Sequence, residues 1–279
     1  MIPRPMTKQT LLLILSIGVA LLLLTFVRLR RPVHDMNPPE PPRAPAPLAA
    51  TPPPPPDPLE AAIALVRPSA GRQEKDGIAI ALLMDTSGSM KDPVRDSDGT
   101  SRAKIDIAKR VCRKTIGDLQ EFAAKTPELP LSVGLYEFSG GSCRAILPLG
   151  PFQPEETLAA VDRLRPSQGT PIGEAILTAK GALDQSGLFR KHMVLLTDGE
   201  NTTGRDPVLF ARAIAALPPE EQAGIHCIAF QVQASKFQGI KDAGGTVLEA
   251  TNAAELGQSM DFILRRKILL ELPEVPVKK

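Results

Sequence analysis

Short apolar segments alternate with segments of helical periodicity from residue 77 to residue 269, and this alternation constrains the fold more than any other feature. Strands are predicted at 78–85, 131–138, 143–149, 191–198, 224–232 and 245–249. Helices are predicted at 102–123, 154–164, 171–183, 207–216, 235–243 and 253–269. Only Ser139-Gly140-Gly141-Ser142 joins the second and third strands, which is typical of a hairpin. The pattern predicts an α/β fold with a doubly wound, mainly parallel six-stranded sheet, one antiparallel edge strand and helices on both faces.

Two of the predicted strands end in an aspartate. Asp85 closes the apolar run at 78–85, and Asp198 closes the run at 191–198. In sheets of this kind, ligands bind outside the carboxyl ends of the strands, at the point where the strand order reverses. The two carboxylates are therefore expected to project from the same edge of the sheet, into a candidate binding site.

The segment after the first strand is rich in oxygen side chains. Asp85, Ser87 and Ser89 occupy alternate positions, and Gly88 between the serines permits a sharp turn. Such a loop can direct three oxygen side chains to one point, and hard cations such as Mg²⁺ prefer oxygen ligands in an octahedral array. No histidine or cysteine accompanies these residues in the motif, which argues against zinc or copper.

Each part of this pattern also has a simpler interpretation. The loop after Asp85 could be a turn in which serine and aspartate side chains bond to their own backbone. Thr170, directly before Pro171, could be the N-cap of the helix at 171–183. Asp198-Gly199 could be an ordinary turn after a strand. The features together are much rarer than each one alone, and this favours a metal site.

Three motifs of the domain together resemble one known family. The D-x-S-x-S motif at 85–89, the QGTPIG segment at 168–173 and the LLTDGEN segment at 195–201 are similar to the complete metal-ion-dependent adhesion site of von Willebrand factor A domains. The resemblance extends to VGLYEFS (133–139) and SRAKIDIAK (101–109), and it covers residues 76–268. It is greatest to the bacterial members that carry LLTDGEN.

The resemblance implies a role for each of five side chains. Ser87, Ser89 and Thr170 would supply hydroxyl oxygens to the ion, while Asp85 and Asp198 would act largely through bound water. The ion would be Mg²⁺, with Mn²⁺ or Ca²⁺ as alternatives. One coordination position would remain for a carboxylate of a partner. The family therefore implies a domain that binds a protein offering an acidic residue.

Two further segments precede this domain. After a short flank at residues 1–10, residues 11–27 (LLLILSIGVALLLLTFV) carry no charge, which favours a single transmembrane helix. The following Arg28-Leu29-Arg30-Arg31-Pro32 is a poor cleavage context, so an uncleaved anchor is favoured over a cleaved signal peptide. Residues 28–70 are rich in proline and are expected to form an extended linker, with a helical turn or two at the short apolar segment LEAAIALV (59–66). A docking ligand for an aromatic-lined groove is the alternative for this stretch. The tail at 269–279 is expected to be disordered.

The position of the anchor bears on the location of the domain. Only ten residues precede it, and translocation of the following chain is the usual outcome for such a start. We therefore expect a single-pass protein of the cell membrane with its domain outside the cytoplasm. Basic residues flank both ends of the apolar segment, so the positive-inside rule does not predict its orientation in the membrane. The opposite orientation would suit an alternative function, that of a regulatory or assembly subunit of a cytoplasmic ATPase complex.

Charge and cysteine content argue against other classes of function. The net charge is +2, but residues 1–31 contribute +5, so residues 32–279 carry −3 (2 − 5) and show no basic stripe typical of a nucleic-acid binder. Cys112, Cys143 and Cys227 form no CxxC pair and are expected to be small buried thiols, with one disulfide and one free thiol as the alternative. The chain has no GxSxG elbow and no P-loop, and no candidate catalytic partner accompanies any of its three histidines. No enzymatic activity is therefore expected.

Overall fold

The computed structural model describes residues 57–68, 74–96 and 98–270. The strands are β1 (Lys75–Asp85), β2 (Pro93–Arg95), β3 (Ser101–Ala103), β4 (Leu131–Ser139), β5 (Ser142–Pro151), β6 (Leu188–Thr197), β7 (Gly224–Phe230) and β8 (Thr246–Ala250). The helices are α1 (Pro58–Val66), α2 (Lys104–Lys125), α3 (Pro154–Arg163), α4 (Ile172–Gln185), α5 (Pro207–Ala215), α6 (Gln238–Asp242) and α7 (Ala253–Phe262). The helix predicted at 235–243 is divided into a 3-10 turn (Ala234–Phe237) and α6, and the helix predicted at 253–269 continues beyond α7 as a π-helix (Ile263–Ile268).

Six strands form the main sheet, in the order β5-β4-β1-β6-β7-β8. The β4–β5 pair is antiparallel, and the other four pairs are parallel. The predicted six-stranded sheet with one antiparallel edge strand is thus confirmed. The chain runs from β1 to β4 and β5 on one side, then returns to β6 on the other side of β1. The strand order reverses between β1 and β6, which is where a binding site is expected.

Helices cover both faces of the sheet. On β1, Ile80, Leu82 and Met84 belong to a core layer shared with α2, α3 and α7. The intervening Ala79, Ala81 and Leu83 belong to a second core layer shared with α1, α4, α5 and α6. Because successive side chains of a strand point to opposite faces, a central strand between two helical layers must be apolar at every position. This explains the unbroken apolar run at 78–84.

Helix α1 lies in the stretch predicted as linker, yet it packs on the domain. Its Ala62 and Val66 are buried in the core layer that contains α4 and α5, and α1 belongs to the same compact unit as the sheet. The fully buried Lys180 of α4 donates a hydrogen bond to the carbonyl oxygen of Val66 at 2.9 Å and pairs with Asp184. The folded unit therefore begins before residue 76.

Replacing Lys180 with methionine is expected to destabilise the domain by about 2 kcal/mol, the scale of one hydrogen bond from a charged donor. The change would loosen α1, because the contact with Val66 is lost. Urea denaturation measures the effect. Lys125→Met is the matched control, since Lys125 is 76% exposed and its pairing with Glu121 contributes little. Equal unfolding free energies for the two variants would show that Lys180 does not fasten α1.

A short hairpin, β2–β3, was not predicted. It connects the loop after β1 to the start of α2. Its buried Asp96 accepts a hydrogen bond from Arg102 within the hairpin and one from Arg110, which holds the hairpin against α2. The hairpin therefore fixes where α2 begins relative to the end of β1.

The predictions for the two ends of the chain lie largely outside the described residues. These are the flank at 1–10, the anchor at 11–27, the linker up to residue 56 and the tail from residue 271. No helix within residues 57–68, 74–96 and 98–270 is both long enough and apolar enough to cross a bilayer. The three cysteines are all described and free. Cys112 and Cys227 are buried, as predicted, whereas Cys143 is only half-buried.

Candidate metal site

Asp85 organises the loop that follows β1. Its carboxylate Oδ1 accepts a hydrogen bond from the backbone N–H of Ser87 at 2.7 Å, and its Oδ2 accepts one from Thr197 Oγ1 at 2.6 Å. Thr197 is the last residue of β6, the neighbour of β1 across the reversal point. Asp85 is fully buried, so these contacts tie the ends of the two strands together. The sequence-based interpretation of a turn closed by its own aspartate is thus correct for Asp85, but it accounts for only part of the site.

Ser87, Ser89 and Asp198 bring three oxygen atoms together. Ser87 Oγ lies 3.1 Å from Ser89 Oγ, and Asp198 Oδ1 lies 2.9 Å from Ser89 Oγ and 3.4 Å from Ser87 Oγ. Adjacent ligands of an octahedral ion with bonds of about 2.1 Å are about 3 Å apart. The two serine hydroxyls therefore have the spacing of adjacent ligands in a magnesium coordination shell, and Asp198 Oδ1 lies within hydrogen-bond distance of both. Hydroxyl and carboxylate oxygens are also the donor types that hard cations prefer.

Thr170 lies in the loop before α4, and that loop is fastened to the one after β6. The Thr170 N–H donates to Thr202 Oγ1 at 2.9 Å, and the Thr202 N–H donates to the Thr170 carbonyl oxygen at 3.0 Å. Thr170 is buried, and its Oγ1 is 3.7 Å from the position that a Cβ on Gly199 would take. Its side chain thus lies beside the residue that directly follows Asp198.

The interpretation of Thr170 as a helix N-cap is wrong. Helix α4 begins at Ile172, and its first turn is capped by Asn201, whose Oδ1 accepts a hydrogen bond from the Ile172 N–H at 2.8 Å. This cap was not predicted, because Asn201 comes from another loop. Since Asn201 satisfies the helix terminus, the Thr170 hydroxyl is not required there and is available for a ligand.

Lys104 is a residue of the site that was not predicted from the sequence. Lys104 opens α2, and its Nζ donates to Asp198 Oδ2 at 2.8 Å. Its side chain is 12% exposed, so the ammonium lies near the surface of the site. The only signal was the SRAKIDIAK segment at 101–109, which carried the family resemblance without assigning a role to the lysine. Thr197, the partner of Asp85, was also missed.

Burial raises the pKa of Asp85 to about 6, although hydrogen bonds from Thr197 and Ser87 act in the opposite direction. The nearby Asp198 carboxylate adds to the increase. A buried carboxylate next to a second carboxylate is unfavourable without a counter-charge. A cation between the strand ends would supply that charge.

The raised pKa predicts how stability depends on pH without a cation. The pKa of Asp85 is about 6 in the folded state and 3.8 in the unfolded state. The stability contributed by the protonated carboxyl is therefore complete below about pH 4, falls as the pH rises through 6, and is lost above it, a difference of about 3 kcal/mol. We expect melting temperatures in chelator to fall more steeply over this range for wild type than for Asp85→Asn. Parallel curves for the two proteins would contradict this pKa.

The site depends on hydroxyl groups. Within the described ranges, no group of three or more histidine, cysteine, aspartate or glutamate side chains is arranged to hold a metal ion. His192 and His226 stack on each other with ring centroids 5.5 Å apart, in a pair separate from Asp85 and Asp198. The candidate site thus differs from an imidazole or thiolate centre.

Comparison with known sequences identifies relatives of the domain. Residues 80–200 match the model of the von Willebrand factor type A domain. The chain is 28% identical to YwmD of Bacillus subtilis (strain 168) over 211 residues, which cover 71% of this chain and 90% of that protein. It is 33% identical to YwmC of the same organism over 141 residues, covering 48% of this chain and 60% of that protein. Both are described as uncharacterised proteins.

Solved structures share the fold at low sequence identity. The D319A mutant of the PilB minor pilin from Streptococcus sanguinis superposes with a TM-score of 0.52 at 18% identity, over 68% of this chain and 61% of that chain. Proximal thread matrix protein 1 from the mussel byssus, with a zinc-occupied metal-ion-dependent adhesion site, has a TM-score of 0.53 at 18% identity, over 70% of this chain and 48% of that chain. The chain thus spans less than two thirds of either protein. The chain thus matches the von Willebrand factor type A domain model over residues 80–200 and shares its α/β fold with these solved structures.

Proposed function

We propose that this protein binds a protein ligand through a divalent cation, with Mg²⁺ as the favoured ion. The residues that would hold the ion are Asp85, Ser87, Ser89, Thr170 and Asp198. The observation that carries the proposal is the triangle formed by Ser87 Oγ, Ser89 Oγ and Asp198 Oδ1, with edges of 2.9 to 3.4 Å at the reversal point of the sheet. The serine and threonine hydroxyls would contact the ion, and the two aspartates would hold those hydroxyls and bound water. The bound ion supplies a Lewis-acidic position that accepts a carboxylate of the partner.

Binding rather than catalysis suits the state of the carboxylates. Both oxygens of Asp85 accept hydrogen bonds from within the domain, and both oxygens of Asp198 contact Ser89 or Lys104. Each of these carboxylate oxygens is thus already bound to a donor of the domain, so we assign both aspartates to holding the site together.

We further propose that residues 11–27 anchor the protein in the cell membrane and that the domain lies outside the cytoplasm. The support is the uncharged apolar segment, which has the composition of a membrane-spanning helix. PilB is a pilin, but at 18% identity its likeness is one of fold, so the location is argued from the sequence. Alkaline phosphatase fused after Lys279 should be active. An inactive fusion would favour the cytoplasmic ATPase-complex alternative instead.

Selection from a random displayed-peptide library tests the binding function. The purified protein, immobilised in Mg²⁺, should retain peptides that contain aspartate or glutamate, and a chelator should release them, because the partner carboxylate binds through the ion. Asp85→Ala should retain none of these peptides. Asp242→Ala is the matched control, since Asp242 is exposed on α6 and its side chain accepts a hydrogen bond from Gln238.

Two results would contradict the binding function. One is retention of the same peptides in chelator, which would show that the ion is not the bridge. The other is retention by Asp85→Ala equal to that of Asp242→Ala.

A further inference from the structure

Lys104 and the serine hydroxyls contact opposite oxygens of one carboxylate. Asp198 Oδ1 faces Ser89 Oγ at 2.9 Å, while Asp198 Oδ2 accepts a hydrogen bond from Lys104 Nζ at 2.8 Å. The proposed ion-binding hydroxyls and the ammonium are therefore separated by the width of a single carboxylate. A second carboxylate that approaches from the open side of the site has the right size to span the same two groups.

The backbone holds the main chain of Lys104 in this place. The Asp92 N–H donates to the Ser89 carbonyl oxygen at 2.9 Å, and the Asp92 carbonyl oxygen accepts from the Lys104 N–H at 3.0 Å. The intervening chain forms the β2–β3 hairpin, which closes on itself. The main chain of Lys104 is thus connected to that of Ser89 by two successive hydrogen bonds, and the ammonium is held by Asp198.

The charges of the site leave one unit unbalanced. Asp85 and Asp198 together contribute −2 when ionised, a divalent cation contributes +2, and Lys104 contributes +1. The bound site would therefore carry a net charge of +1, which one carboxylate neutralises. Without Lys104 the sum would be zero, and the site would prefer a partner carboxylate over a neutral oxygen donor much less.

The ammonium also has hydrogen-bond capacity to spare. A lysine ammonium carries three N–H donors. One of them is directed to Asp198, and Lys104 forms no other ion pair or side-chain hydrogen bond within residues 57–68, 74–96 and 98–270. The side chain is 12% exposed, so it is not sealed from solvent.

We infer that Lys104 is a second anchoring group for the partner, so that one oxygen of the partner carboxylate binds the cation and the other accepts a hydrogen bond from Lys104 Nζ. This inference rests on the proposed function and deepens it. It makes the partner residue an aspartate or glutamate, because an asparagine or glutamine amide would turn an N–H donor towards the ammonium or bring no charge to neutralise the site.

The test uses the purified full chain in saturating Mg²⁺, with N-acetyl-aspartate N-methylamide and the matching asparagine compound as probes observed by NMR. Wild type should prefer the acid. Lys104→Met should bind the acid about tenfold more weakly, as expected for loss of a charge-assisted hydrogen bond, and lose most of the preference over the amide. Its Mg²⁺ affinity, measured by calorimetry, should equal or exceed that of wild type, because a positive charge next to the ion has been removed.

Two further variants control for charge and for folding. Lys104→Arg should keep the preference for the acid, since it retains a charged donor. Lys125→Met removes the same charge from the exposed C-terminal end of α2 and should behave as wild type.

Distinct outcomes overturn the inference and the proposed function. If Lys104→Met binds Mg²⁺ and the acid as wild type does, the inference is wrong and the proposed function stands. The inference also fails if Lys104→Met weakens Mg²⁺ and acid binding equally, or if wild type with bound Mg²⁺ shows no preference for the acid. If wild type binds no Mg²⁺, the proposed function fails and the inference fails with it.

Discussion

Replacing Gly173 with alanine is expected to destabilise the domain by about 3 kcal/mol or more, and to remove cation binding with it. A Cβ at Gly173 would lie 2.1 Å from the carbonyl oxygen of Arg205 and 2.7 Å from its carbonyl carbon. Both are backbone atoms, so the clash cannot be relieved by rotating a side chain. The loop at 199–206 would have to move away from the start of α4.

That movement would reach the metal site. Asn201 and Thr202 belong to the displaced loop, and they hold the start of α4 and the backbone of Thr170. Urea denaturation and a Mg²⁺ titration measure the two effects. Gly181→Ala is the matched control on the same helix, since a Cβ there meets no atom within 4 Å. It should stabilise the domain by roughly 0.5–1 kcal/mol, because alanine favours a helix over glycine. Equal stability of the two variants would contradict the close packing at Gly173.

Asp198→Asn is expected to lower Mg²⁺ affinity by about a hundredfold or more, at the upper end of what loss of a group supporting metal ligands costs. The substitution removes a negative charge next to the ion. It also leaves one amide oxygen where two carboxylate oxygens serve Ser89 and Lys104. The amide nitrogen can only donate, so it must face either a proposed ion-binding hydroxyl or an ammonium.

Calorimetry in Mg²⁺ measures this loss. Asp242→Asn removes the same charge from an exposed position on α6 and should leave the affinity at the wild-type value. Circular dichroism in chelator checks that Asp198→Asn is folded. A folded Asp198→Asn protein that binds Mg²⁺ as tightly as Asp242→Asn would place the ion elsewhere.

The sheet was predictable because its central strands are buried on both faces. Burial on both sides leaves no polar position in 78–84, and a strand of this kind ends where a polar residue, here Asp85, meets solvent or a site. The rule that ligands bind at the reversal of strand order then located the site from Asp85 and Asp198 alone. Site residues that directly end an apolar strand, as Asp85 and Asp198 do, could therefore be predicted from the sequence.

Features that depend on contacts between distant parts of the chain could not be predicted from the sequence. Lys104 meets Asp198 across 94 residues of chain, and Thr197 meets Asp85 across 112. The β2 and β3 strands have three residues each, too short to show an alternating pattern. Lys180 is a charged residue at a position that faces the core, where it pairs with Asp184 and, across 114 residues of chain, contacts Val66. Such pairings are set by the folded structure, and a single sequence contains no periodic signal for them.

The measurement that tests the account most directly is a calorimetric Mg²⁺ titration of the purified full chain, beside the double variant Ser87→Ala/Ser89→Ala. We expect one saturable Mg²⁺ site per chain in wild type. We expect none in the folded double variant, because two of the three oxygens of the triangle are removed. A Zn²⁺ titration alongside compares the metal seen in the mussel protein. A folded wild-type protein without saturable Mg²⁺ binding, or a double variant that binds Mg²⁺ equally well, would contradict the assignment of this site to the ion.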